Sequence, residues 1–349
     1  MRHHAEKKPQ RLKRKELVMG VLYHFSEIFE SSDAESIWDI AIPVEDLCTH
    51  LKDRFGVEYS SNQWVYTQLR RYEDEIGARL FEKKARRDVN TFRVSLHREM
   101  LEFIQKQHLY VPQKIKAARG AYDKILSTIP APQDTSTGAS SRDISVLLGA
   151  GSTVYHLASI FIDHQHSTDR TFSLHTHNAG ILPMLLGQHV DHRKLSVVTA
   201  GGVLDPVTRT ILGDPEKSFT RKSFDFIVQG TSQVWGEDLF IESRQEQRIK
   251  RAILNDFEGC KILVLTKHEF QDHPMPGVEP YGKISDYEYV IVPRSIQDHP
   301  PKKHDRCFEE SLGKLEPEIM NWNYCILKVK KDHEKNRETA AGTGLHEKT

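Results

Sequence analysis

The chain has 349 residues, enough for about two domains. Charge is balanced, with 49 Lys and Arg against 49 Asp and Glu, so any nucleic-acid contact needs local segregation of charge. The 38% hydrophobic share suits a globular protein, and no apolar run reaches the ~20 residues that span a bilayer, which excludes a membrane-spanning role. The four cysteines show no C-x-x-C spacing, so neither a disulfide framework nor a zinc knuckle is expected. The basic N-terminus lacks the apolar stretch of a secretory signal, and a cytoplasmic location is predicted.

Residues 1–15 read as a basic arm. From Leu17 to Phe29 apolar side chains recur at helical spacing. A second helix is predicted from Pro43 to Phe55, closed by Gly56, and a third after Ser60 or Ser61, closed by Gly77. The segment RLFEKKARRDVNTFRVSL, 79–96, reads as two short extended pieces around a basic turn. Three helices and a β-ribbon are the order of a winged helix-turn-helix, assigned to residues 1–98 as a DNA-binding domain. On its third helix Gln63, Thr67 and Arg70 lie opposite the Val65, Leu69 and Ile76 stripe, with Tyr66 flanking. Gln and Arg can read base edges bidentately, while Lys83, Lys84, Arg86 and Arg87 suit phosphate contact. The alternatives are a solvated charged face and a plain dimerisation bundle. LRRYEDEIGARLFEKKAR, 69–86, also resembles the end of the recognition helix and the wing in LysR-type regulators.

Residues 99–143 read as a connector. Its helical part, 99–127, is expected to break near Pro112 and to offer an interface for a homodimer or homotetramer. Its end, PAPQDTSTGASSRD at 130–143, has the composition of a linker. From Ile144 onward six short β-like runs alternate with helical stretches: ISVLLGA, TFSLHTH, LSVVTAG, FDFIVQG, KILVLTK and YEYVIVP. The pattern predicts an α/β domain over 144–330, a doubly wound Rossmann-like parallel sheet, with YCILKVK at 324–330 as an edge strand. The tail, 331–349, reads as disordered.

The most informative stretch is ISVLLGAGST, 144–153, in which an apolar strand stops at a glycine turn that leads into a helix. The amides of Gly151, Ser152 and Thr153, two hydroxyls and the helix N-terminus can cradle an anion. An ordinary tight turn is the plainer alternative. Two H-x-H pairs, His164/His166 and His175/His177, suggest no metal site, and no cofactor is expected.

Five segments in order resemble the effector domain of DeoR-type transcriptional regulators, a fold related to ribose-5-phosphate isomerase. They are GAGST at 149–153, THNAG at 176–180, TAGGVLDP at 199–206, FDFIVQGTSQVWGEDLF at 224–240 and SRQEQRIKRAIL at 243–254. The resemblance implies a ligand-responsive regulator whose effector is a phosphorylated sugar or related metabolite. It places the ligand against Gly149, Gly151, Ser152, Thr153, His177, Asn178, Gly201, Gly202 and Asp205. The family's Asp and Lys in LVLTKHEF are Thr266 and Glu269 here, so Lys267 is the candidate replacement. The isomerase relatives use a D-G-A-D-E loop, whereas VQGTSQ carries no carboxylate, which implies that the chain is not an enzyme. The alternatives are an enzyme acting on a sugar phosphate and a sensor that signals through a protein partner.

Overall fold

The computed structural model describes residues 12–59, 61–85, 92–98, 102–129, 143–294, 303–313 and 315–330. Internal contacts divide the chain after Pro112 into two compact units, and this boundary falls inside the segment read as a connector. Most of the arm, the 130–142 linker and the 331–349 tail lie outside the described residues. Among the described residues no helix is long and apolar enough to cross a membrane.

The first unit comprises α1 (Arg14–Ser31), β1 (Ala41–Pro43), α2 (Val44–Phe55), α3 (Asn62–Ile76), β2 (Phe81–Ala85), β3 (Phe92–Leu96) and the short α4 (Phe103–Lys106). The expected ends hold. Ser61 caps α3 by accepting the Trp64 N–H, and Gly56 and Gly77 close α2 and α3. The strands pair antiparallel in the order β1-β3-β2. Leu17, Val21 and Phe25 of α1, Leu47 and Leu51 of α2, and Val65 and Leu69 of α3 form one core with Phe81 and Val94.

The end of α3 is tied to β2 by one buried carboxylate. Glu73 Oε1 accepts the N–H groups of Leu80 at 2.6 Å and Phe81 at 2.8 Å, while Oε2 meets Arg70 Nη1 at 2.7 Å. Burial pushes this carboxyl up, against the two amides and Arg70, which stabilise its anion. Glu73→Ala would strand both amides, so a loss on the order of 3 kcal/mol is expected. Faster hydrogen exchange at Leu80 and Phe81 than elsewhere in the unit is the measurement that checks it.

The second unit begins at Gln113, inside the first turn of α5 (Val111–Thr128). Pro112 does not break this helix as expected, because it sits in the first turn, where its missing N–H costs nothing. The break comes earlier, at Tyr110, whose φ is +52°. Next follow β4 (Ile144–Leu148), α6 (Ser152–Asp163), β5 (Phe172–Thr176), α7 (Leu182–Leu185), β6 (Leu195–Thr199), β7 (Val203–Asp205), β8 (Thr210–Leu212) and α8 (Pro215–Ser218). Then come β9 (Ser223–Gln229), β10 (Gln233–Trp235), β11 (Asp238–Phe240), α9 (Arg244–Asp256), β12 (Glu258–Val264), β13 (Gly282–Lys283) and β14 (Tyr289–Pro293). The unit ends with α10 (Lys303–Leu312), β15 (Glu316–Met320) and β16 (Tyr324–Lys328).

All six β-like runs are strands of one eight-stranded sheet, ordered β15-β16-β14-β12-β9-β4-β5-β6. Pairing from β6 to β14 is parallel, while β16 and β15 add antiparallel. YCILKVK is therefore not the edge. The edge is the charged β15, whose Pro317 suits an unpaired side. Side chains alternate between two cores. Val146, Leu148, Phe226 and Val228 face α5 and α6, whereas Leu147 and Ile227 face Ile249 and Ile253 of α9. Helices thus cover both faces, as a doubly wound parallel sheet requires.

The two central strands are locked near their start. Asp225 Oδ2 accepts the Ser145 N–H at 2.8 Å and its hydroxyl at 2.7 Å, and Ser145 Oγ accepts the Asp225 N–H at 3.0 Å.

Candidate functional site

Successive parallel strands leave β4 in one direction, to β5 and β6, and resume on its other side at β9, then β12 and β14. The order reverses between β4 and β9. The loops leaving their carboxyl ends must diverge, and that divergence opens a crevice where ligands bind in sheets of this kind.

The loop after β4 enters this crevice. Gly149 donates to the Val228 carbonyl at 2.8 Å, and Ala150 donates to His177 Nε2 at 3.2 Å. Both amides are used in fixing the loop. Helix α6 then starts, and Tyr155 N–H to Gly151 O at 3.2 Å is the bond that closes its first turn. The amides of Ser152, Thr153 and Val154 therefore have no acceptor within the helix, and no side chain caps them. Gly151 has φ +119° and ψ 157°, backbone that side-chain-bearing residues avoid, and a Cβ there would meet nothing within 4 Å. Open space thus lies at Gly151, next to the positive end of a helix that starts with three unpaired amides.

Behind the loop is a buried polar floor. His177 is fully buried and held down to a pKa of about 3, first by desolvation and then by the charge of Lys250. It is neutral, and because Nε2 accepts from Ala150 its proton sits on Nδ1. That Nδ1 is buried with no partner among the described residues. Gln229, at the end of β9, accepts the Tyr287 hydroxyl at 2.7 Å, and its amide nitrogen is likewise buried and unpartnered. Lys250 of α9 has no exposed surface. It donates to the Gly230 carbonyl at 2.8 Å, with the Glu246 carboxylate 3.7 Å away, and burial lowers its pKa. Tyr281 donates to the same carbonyl at 3.3 Å. Buried donors without acceptors are costly unless water or a ligand meets them.

Of the residues expected at the ligand, Gly149, Gly151, Ser152, Thr153 and His177 come together here. Asn178 is close but otherwise occupied: its Nδ2 donates to Gly151 O at 3.2 Å and its Oδ1 accepts the Gly180 N–H at 3.1 Å. It positions the loop. Gly202 has φ +151°, and a Cβ there would lie 2.3 Å from the Leu212 carbonyl, so this glycine lets the chain pack on β8. Gly201 donates to Ser218 O at 2.9 Å and is exposed. Asp205 Oδ1 accepts the Val207 N–H at 2.8 Å and shapes the β7–β8 turn. Lys267 Nζ is bound to Asp305 at 2.8 Å, and Glu269 accepts both the amide and hydroxyl of Thr266 at 2.6 Å. Gln229, Glu246 and Lys250 were missed. Their signal was available: Glu246, Ile249, Lys250, Ile253 and Leu254 form one helical stripe, in which two charges take positions that would otherwise be apolar.

In the first unit Gln63 is exposed, while Tyr66, Thr67 and Arg70 are half-buried. Lys83 and Lys84 are exposed, and Lys83 Nζ lies 4.2 Å from the Phe92 ring centroid, on which Tyr66 packs edge-on at 5.2 Å. Arg86 and Arg87 lie outside the described residues.

No family model matches the chain, and no curated protein matches its sequence. Solved structures do resemble it. Ribose 5-phosphate isomerase from Plasmodium falciparum is 10% identical, with a TM-score of 0.30 over 67% of this chain and 88% of that one. The isomerase from Methanocaldococcus jannaschii is 12% identical, with a TM-score of 0.29 over 64% and 84%. The structure of eIF2B beta from Chaetomium thermophilum is 10% identical, with a TM-score of 0.31 over 82% and 73%. These similarities give no support to the DeoR-type assignment. The expectation of a non-enzyme finds no support in them either, since several of these neighbours are ribose-5-phosphate isomerases, which are enzymes. With TM-scores near 0.3, the functional argument rests on this chain's own residues.

Proposed function

We propose that the second unit binds a phosphorylated sugar, its phosphate on the amides of Ser152, Thr153 and Val154. One observation carries this reading: at the switch point α6 starts with three amides that have no acceptor in the helix, open space lies at Gly151 just before them, and the donors of His177 and Gln229 are unpartnered. Phosphate suits the helix terminus, and sugar hydroxyls suit neutral donors. The first unit, in this reading, is a winged helix-turn-helix that binds DNA as part of a dimer or larger assembly, with α3 in the major groove. Its support is the order of helices and strands and the exposed Gln63, Lys83 and Lys84. Arg70 would leave Glu73 to reach a base. Ligand and DNA would then be coupled through one conformational equilibrium.

A second reading, aldose–ketose isomerisation of the bound sugar phosphate, is favoured by Lys250. Burial lowers the pKa of this amine, which is the direction a proton acceptor needs. The discriminating experiment gives the full chain ribose 5-phosphate, ribose and inorganic phosphate. Ribose 5-phosphate should raise the melting temperature and ribose should not, a ligand at 100 times Kd adding about 2.7 kcal/mol. Conversion to the ketose would select the enzyme, and DNA affinity that changes with ligand would select the regulator. On DNA, Arg70→Ala should cost about 1–3 kcal/mol at one base position. The Arg86 and Arg87 double alanine variant should flatten the salt dependence. If no phosphorylated sugar shifts the melt, the binding reading fails.

A further inference from the structure

A cluster in the first unit lies outside the site described above. His24 and Glu27 are three residues apart on α1 and share a face, against which α2 brings His50. The two imidazoles stack with centroids 3.8 Å apart and planes 19° from parallel. His24 Nδ1 and His50 Nε2 are both buried, and neither has a hydrogen-bond partner among the described residues. Glu27 Oε2 lies 3.7 Å from His24 Nδ1, and its other oxygen is paired with Arg54. One ligand atom from each of the three side chains can be chosen so that all lie within 4.8 Å of one another.

Two buried ring nitrogens without a hydrogen bond, one of them 3.7 Å from a carboxylate oxygen, invite an ion or a water. Neutral imidazole is the ligand form of histidine. We propose that His24, Glu27 and His50 form a binding site for a divalent transition metal, with zinc(II) the best match to two imidazoles and one carboxylate. Magnesium and calcium prefer all-oxygen sets, so the donor types separate the classes. The lone pairs of stacked rings lie in nearly parallel planes, so each ring must turn about its Cβ–Cγ bond to converge on one ion. Arg54 stays on the second carboxylate oxygen and orients it, as outer partners of metal-bound carboxylates do. The ion would clasp α1 to α2.

The test is titration of zinc(II), and of cobalt(II) as a spectroscopic probe, into the full chain after chelator treatment. The expected result is one tight site whose cobalt absorption band is lost in His50→Ala and in Glu27→Gln. Arg54→Gln should weaken binding by roughly 10–100-fold. Glu27 is partly exposed, so its variant keeps the test open if His50→Ala fails to fold. Imidazole nitrogen shifts of His24 and His50 should move on zinc addition and stay fixed with magnesium. Binding that is unchanged in both ligand variants, or no binding at 100 times the protein concentration, would overturn the proposal.

Discussion

Acidification below pH 6.5 should destabilise the second unit, and His177 should contribute to the loss. In the unfolded chain this histidine takes a proton near pH 6.5, whereas in the fold it does so at about 3. Its folded pKa is depressed, so between those values the unfolded state binds the extra proton. The stability it contributes is full above pH 6.5 and falls by about 1.4 kcal/mol per pH unit toward pH 3. His175, held down to about 4 by burial and then by Arg221, acts in the same direction. Urea unfolding between pH 7 and 5 should show the slope, and His177→Gln should lower it by about one proton. The slope is read independently of absolute stability, so a destabilised variant remains informative. An unchanged slope would mean that His177 is not buried neutral beneath the loop.

Gly151→Val should abolish the proposed binding of sugar phosphate while the first unit stays folded. At φ +119° and ψ 157° a side-chain-bearing residue carries strain of about 1–3 kcal/mol. The surrounding space is open, so the penalty is conformational and not a clash. Relief requires the peptide to rotate, which turns the amides of Ser152 and Thr153 away from the crevice. Gly151→Ala should show the same effect with less loss of stability, since it lacks the β-branch. Calorimetric titration with ribose 5-phosphate checks both variants. A folded Gly151→Val that binds with the parent's affinity would remove the loop from the site.

Local signals in the sequence were legible where one element decides the outcome. Ser61, Gly56 and Gly77 bound their helices through backbone chemistry that needs no distant partner. The six apolar runs mark six strands because a strand covered on both faces is apolar throughout. The glycine turn at 149–153 was legible for the same reason. What a row of letters does not show depends on tertiary neighbours. Asp205 and Asn178 look like ligand contacts in a row of letters, yet Val207 and Gly151 claim their side chains. Lys250 looks like a solvated charge until the sheet covers it. YCILKVK was read as the edge because the charged β15, EPEIM, carries no apolar alternation to announce it.

The central claim is that three amides at the start of α6 receive a phosphate. Titrating the 15N-labelled full chain with ribose 5-phosphate and following amide shifts tests it most directly. The expected result is that the Ser152, Thr153 and Val154 signals move together to one saturation point, with the His177 side chain following. Inorganic phosphate should move the same three amides and leave the imidazole unchanged. Saturable shifts confined to other residues, with these three amides still, would contradict the account.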